Sequence, residues 1–214
     1  MGFSTLNSLK ILHHSLTLTV ADDIVVVADD SESTRDFLDL TYFYNNDNKA
    51  FLSDVVGGTD FSACRIGVLL FSDDVRFLSN LTTNGTQLQS DIDNIQPSDN
   101  GFGKTNLADA ITEATLLLLD SKATTSKVIL VVTDGQPNDV NGAREAAVTA
   151  RSLGIKIGLV LPPLPDGNIG YRPADMRGIL DTVAGDEIQI LASRADLTTV
   201  LPSSFCPTAG SIFA

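Results

Sequence analysis

The chain reads as an α/β protein: a doubly wound, mostly parallel six-stranded sheet with one antiparallel edge strand and helices on both faces. Three observations carry this reading. Apolar, β-branched runs such as Ile24–Val27, Ile66–Phe71 and Val128–Val132 are of the kind buried on both faces of a parallel sheet. Between such runs lie segments with a 3.6-residue apolar period, clearest in Leu107, Ala110, Ile111, Ala114, Leu117 and Leu118. The length of 214 residues, 43% of them hydrophobic, suits one domain with a sizeable core.

Taken in order, residues 1–21 have mixed patterning and are expected to form an arm or an added strand. The first central strand is expected from Asp23 to Ala28. Ser33, with Asp36 three residues on, resembles a helix N-cap, and Phe37, Leu40, Thr41 and Tyr44 follow at helical spacing. Arg65 to Phe71 is the next strand, Ser72-Asp73-Asp74 a turn, and Val75 to Ser79 a hairpin partner at an edge. Leu88, Ile92 and Ile95 predict a short helix ending before Pro97, and Ser98 to Lys104 is a Gly- and Asn-rich loop. The helix from Asn106 leads to a strand from Lys127 to Thr133. Ala143 to Leu153 is an Ala-rich helix stopped by Gly154, and Ile155 to Leu161 a strand. A helix starting at Pro173 carries Met176, Ile179, Leu180 and Val183 and stops at Gly185. A last strand, Glu187 to Ala192, and a last helix, Ala195 to Leu201, complete the pattern.

Three separated segments supply hard oxygen donors at expected strand ends: Asp29-Asp30-Ser31-Glu32-Ser33, Thr105 within Gly103–Leu107, and Asp134 in Thr133-Asp134-Gly135. In an extended turn alternate side chains point the same way, so Asp29, Ser31 and Ser33 converge while Asp30 and Glu32 point away. Sites in open parallel sheets form at the carboxyl ends of strands, near the switch in strand order, which brings Asp29 and Asp134 together if their strands are neighbours. Two carboxylates and neutral hydroxyls suit Mg²⁺ or Mn²⁺, with Ca²⁺ a further candidate, and such a set leaves the cation electrophilic toward an incoming carboxylate. Some donors are expected to act through water.

In this order and at these strand ends, the segments resemble the von Willebrand factor type A domain, the fold also seen as the integrin I domain. The resemblance runs from about Asp22 to Cys206, so the domain is placed at 22–206 with a C-terminal tail at 207–214. Asp29, Ser31, Ser33, Thr105 and Asp134 fall on that family's metal-ion-dependent adhesion site. Arg65–Val68 and Asp134–Asp139 are similar to its strand and loop sequences. The resemblance implies adhesion or ligand recognition through a bound cation, the partner being a protein or matrix component with an exposed carboxylate. The family often has Gly where this chain has Asp30, which adds charge near the metal, and residues 1–21 have no family counterpart. Loop position nominates Glu32, Asn100, Phe102, Lys104, Gln136, Asn138 and Tyr171 for the ligand-binding rim.

Other classes find less support. With 14 basic against 27 acidic residues the net charge is −13, which disfavours nucleic acid as a partner. No Gly-x-Gly-x-x-Gly follows a strand, no Gly-x-Ser-x-Gly elbow occurs, and Ser98 stands where a phosphate loop ending in Gly103-Lys104-Thr105 would need its first Gly. The only histidines, His13 and His14, lie in the arm, away from any triad or zinc site. The chain is therefore expected to be no enzyme. The alternative function is a structural matrix or assembly module of the same fold, in which the metal only stabilises the loops.

No apolar run is long enough to span a bilayer, and no signal peptide is read at the N-terminus. Cys64 and Cys206 are compatible with one disulfide or with two buried thiols by count alone. In the resembled fold the start of Cys64's strand and the end of the last helix lie on the side opposite the metal, which implies a bridge. Asn80-Leu81-Thr82 and Asn84-Gly85-Thr86 are glycosylation sequons. Together these features point to an extracellular or cell-surface module within a larger protein.

Overall fold

The structure, a computed structural model, describes residues 23–31, 49–96, 104–121, 126–133, 135–160, 178–180 and 190–191. Its elements are β1 (Asp23–Asp29), α1 (Lys49–Gly57), β2 (Arg65–Phe71), β3 (Val75–Thr82), α2 (Gly85–Asp93), α3 (Leu107–Asp120), β4 (Lys127–Val132), α4 (Val140–Ser152), β5 (Lys156–Val160) and β6 (Ile190–Leu191).

The strands form one sheet in the order β3-β2-β1-β4-β5-β6. β1 runs parallel to both β2 and β4, β5 is parallel to β4 and β6, and β3 is antiparallel to β2 at the edge. Five strands are full-length. The sixth, expected over 187–192, is described only as the two-residue β6. The chain winds outward from β1 through β2 to β3, then returns to β4 on the other side of β1. The order therefore switches between β1 and β4, the place where ligands of open parallel sheets bind, at the strands' carboxyl ends.

Strand alternation divides the core into two layers. Ile24, Val26 and Ala28 of β1, with Ile66, Val68, Leu70, Val128, Leu130 and Val132, face Phe51, Leu52, Val55 and Val56 of α1 and Leu88 and Ile92 of α2. Val25 and Val27, with Leu69, Phe71, Ile129, Val131, Ile157 and Leu159, face the apolar stripe of α3 and Ala143, Ala147 and Ala150 of α4. Every residue of β1 is buried, which is why its sequence is continuously apolar instead of alternating.

Several boundaries differ from expectation. α1 falls where the sequence predicts no helix: its apolar pairs Phe51-Leu52 and Val55-Val56 recur at a spacing of four and stop at Gly57-Gly58. The helix expected around Phe37–Tyr44 lies outside the described residues, as do the last helix and the N-terminal arm. β3 continues past Ser79 to Thr82 because its register with β2 shifts between Ile66 and Leu69. Gly67 sits at that irregularity. A Cβ there would stand 3.2 Å from the Leu117 side chain and 3.3 Å from Ser79 O, a tight fit that would push these neighbours by a few tenths of an ångström. α4 begins at Val140 instead of Ala143 because the Asp139 side chain caps it, accepting from Gly142 N–H at 2.9 Å. It ends as expected at Gly154, whose φ of 78° is left-handed. There Gly154 N–H donates to Arg151 O and Ile155 N–H to Ala150 O, the paired bonds of a Schellman terminus.

Candidate metal centre

The last residue of β1, Asp29, delivers a carboxylate to the switch point while its backbone stays in the sheet. The side chain is 1% exposed. Its Oδ1 accepts the Ser31 N–H at 2.9 Å, a local turn that bends the chain away from the sheet and returns Ser31 to the same side. Its Oδ2 accepts the Thr133 hydroxyl at 2.5 Å, from the residue that follows β4. Both carboxylate oxygens are thus oriented by neighbours on two different segments. Thr133 is not among the residues that the sequence pattern nominates. Its position after β4, in register with the end of β1, is the signal that could have found it.

Thr105 lies just before Asn106, the N-cap of α3. Its hydroxyl donates to Ser31 Oγ at 3.3 Å, and both side chains are buried. Asp29, Ser31 and Thr105 therefore gather as the sequence pattern requires. Ser33 and Asp134 lie outside the described residues, and so do Glu32, Asn100, Phe102 and Tyr171. Among the described residues no group of three His, Cys, Asp or Glu side chains assembles. The described residues thus bring together one carboxylate and hydroxyls. Such hard, mostly neutral oxygens fit Mg²⁺ or Mn²⁺ and offer nothing to a thiophilic ion.

The surrounding loops are joined to one another. Lys104 N–H donates to Asp73 Oδ1 at 3.0 Å, and Asn106 Nδ2 donates to Asp73 O at 3.1 Å. Asn106 N–H reaches Ser72 O at 3.0 Å. Asn138, expected at the ligand rim, turns its Oδ1 to the Thr105 N–H at 2.7 Å, while Gln136 and Lys104 are exposed.

Asp30, the residue that departs from the family's usual Gly, does point away from Asp29. It is buried and its Oδ2 meets Arg76 of β3 at 3.0 Å. Arg76 also donates to Gln96 O, at 3.1 Å. The extra negative charge expected beside the metal is thus answered by a guanidinium. At the opposite end of the sheet Cys64 is buried and is not a free thiol, while Cys206 lies outside the described residues. Asn80 and Asn84 are both exposed.

The von Willebrand factor type A domain family matches residues 23–189. Comparison with curated protein sequences finds no match. Among solved structures, the manganese-loaded TRAP protein of Plasmodium vivax is similar with a TM-score of 0.66 at 14% identity, over 86% of this chain and 73% of that one. The von Willebrand factor domain of the type V pilus tip protein of Porphyromonas gingivalis gives 0.61 at 14%, over 86% and 93%. A proximal thread matrix protein of the mussel byssus gives 0.66 at 20%, over 86% of this chain but 46% of its own. At these identities the structures speak for the fold. The family match spans most of the chain, the mostly parallel sheet agrees with it, and the chain belongs to the von Willebrand factor type A domain family.

Proposed function

We propose that this chain is a non-enzymatic adhesion module that holds Mg²⁺ or Mn²⁺ through Asp29, Ser31, Ser33, Thr105 and Asp134 and recognises an acidic group of a protein or matrix partner. The observation that carries the reading is the buried grouping of three residues: the Asp29 carboxylate accepts the Ser31 N–H, and the Ser31 hydroxyl oxygen accepts from Thr105. When bound, the cation supplies an electrophilic coordination position for an incoming carboxylate. The chain's own part is to orient the donors: the Ser31 amide and Thr133 hydroxyl hold the Asp29 carboxylate, and Thr105 is carried on a loop tied to its neighbours.

The family is one of adhesion and protein-interaction modules, and the solved structures similar in fold include a pilus tip protein, which favours a cell-surface or extracellular setting. No helix among the described residues is long and apolar enough to cross a membrane. A Cys64–Cys206 bridge and glycans at Asn80 and Asn84 belong to the same reading. Mass spectrometry of protein from an oxidising eukaryotic host checks both, and two free thiols there would remove the bridge.

Titration calorimetry with Mn²⁺ on the parent and Asp29→Ala tests the metal assignment. Loss of binding in the variant is expected, and equal affinity would sink it. Capture of matrix proteins or glycoproteins that is reversed by chelation then separates metal-borne recognition from a second reading. In that reading, favoured by the likeness to a byssal matrix protein, the metal only stiffens the loops and binding persists without it.

A further inference from the structure

We propose that Asn138 is the positioning residue that holds Thr105 in the metal site before any cation arrives, so that the site is preset and not assembled by the ligand. The proposal rests on the metal reading above and concerns how that site is kept ready. Two hydrogen bonds join the residues reciprocally. Thr105 N–H donates to Asn138 Oδ1 at 2.7 Å, and Asn138 N–H donates to Thr105 O at 3.1 Å. The two bonds hold the peptide groups on either side of the Thr105 Cα, which fixes the orientation of the residue better than either bond alone. The Thr105 hydroxyl is then presented to Ser31 Oγ at 3.3 Å.

Asn138 is itself anchored. The next residue, Asp139, caps α4 through Gly142 N–H, so the clamp is mounted on the start of a packed helix. Contacts to Ser72 and Asp73 hold the amides of Lys104 and Asn106, on either side of Thr105, and the Thr105 N–H is held by Asn138. The chemistry explains the residue type. The side chain must present an acceptor to the Thr105 N–H, which alanine cannot do, whereas the bond from the Asn138 backbone N–H does not depend on the side chain. Asn138 is exposed, so its replacement by alanine removes the side-chain half of the clamp and little packing.

The test uses Asn138→Ala, Asn138→Asp, Thr105→Ala and the Asn138→Ala/Thr105→Ala pair. Amide exchange at Thr105 is followed by NMR in metal-free protein, and Mn²⁺ affinity by calorimetry. Asn138→Ala is expected to speed exchange at the Thr105 amide and to weaken Mn²⁺ binding by about tenfold, the lower end of what outer partners of metal ligands contribute. Asn138→Asp keeps the acceptor and should restore protection of the amide. In the Thr105→Ala background, Asn138→Ala should cost nothing more, because its effect passes through the missing hydroxyl. An additive loss in that background, parent-like Mn²⁺ affinity in Asn138→Ala, or an unprotected Thr105 amide in the parent would each overturn the proposal. A parent that binds no Mn²⁺ although its Thr105 amide is protected would instead overturn the metal reading, and the role assigned to the clamp with it.

Discussion

At the scale of single residues, the site depends on side chains that never need to touch a ligand. Thr133 illustrates this. Its hydroxyl lies 2.5 Å from Asp29 Oδ2, and the residue is 1% exposed. Thr133→Val keeps the shape and removes the donor, leaving one oxygen of a buried carboxylate without that partner. We expect Mn²⁺ affinity to fall by about tenfold and stability to fall by roughly 1.5–3 kcal/mol, the worth of a hydrogen bond to a charged group. Calorimetry and urea unfolding of the metal-free protein measure the two separately. Asp30 and Arg76 give a second case. Asp30 is buried, whereas the Arg76 side chain is 45% exposed, so solvent screens its half of the pair. Arg76→Met should destabilise by roughly 1–3 kcal/mol, less than for a fully enclosed pair. Asp30→Asn added to it should recover part of the loss, since the buried charge is then gone. Urea midpoints of the four proteins in the cycle decide it, and strict additivity would argue against the pairing.

At the scale of elements, helix ends hold the loops where the residues need them. Asn106 caps α3 one residue after Thr105, and Asp139 caps α4 one residue after Asn138. The far end of α4 is set by Gly154, which has φ of 78° and open space around its Cβ position. Crowding is thus no obstacle to Gly154→Ala, and backbone conformation is the whole cost. It should lower stability by about 1 kcal/mol, as expected for a non-glycine residue forced left-handed. Thermal unfolding checks this, with Mn²⁺ affinity expected to stay unchanged because the metal-side start of α4 is not altered.

At the scale of the whole molecule, the end of the sheet opposite the metal is tied by charge. Asp23 is buried at the start of β1, and its carboxylate accepts from Arg65 Nε at 2.8 Å and Nη2 at 2.7 Å. Ser121, after α3, donates to the same carboxylate and also accepts from Arg65. One cluster thus joins β1, β2 and the end of α3. The Asp23 carboxylate raises the Arg65 guanidinium further above its already high ordinary value. A raised basic group contributes stability that is fully present below its unfolded value and lost only as pH rises through the folded one, so Arg65 should add no pH dependence from neutral to mildly alkaline conditions. Arg65→Leu should cost about 2–4 kcal/mol, somewhat under the loss for a pair enclosed on both sides because Arg65 is partly exposed. Urea unfolding at neutral pH measures it, and Mn²⁺ binding should survive, since the change lies at the other end of the strands.

Much of the molecule is legible in its amino-acid sequence, and for a local reason. Strands buried on both faces must be apolar throughout, so β1, β2 and β4 declare themselves, and the stripe of α3 follows from helical geometry. The Asp29, Ser31 and Thr105 donors are legible because the oxygen types and their strand-end positions recur as a pattern. α1 escapes because its short apolar run is overshadowed by the stronger-looking periodicity at Phe37–Tyr44. Interactions between loops leave no local trace at all. Nothing in the chain order says that Thr133 serves Asp29, that Arg76 answers Asp30 or that Asn138 holds Thr105. Those partnerships join residues 104, 46 and 33 positions apart. Sequence alone determined the fold class, the central strands and the oxygen types of the candidate donors, because each is imposed by local periodicity and side-chain chemistry. Only the tertiary structure decided which residues orient those donors, because that depends on the order β3-β2-β1-β4-β5-β6, which brings the ends of β1 and β4 together.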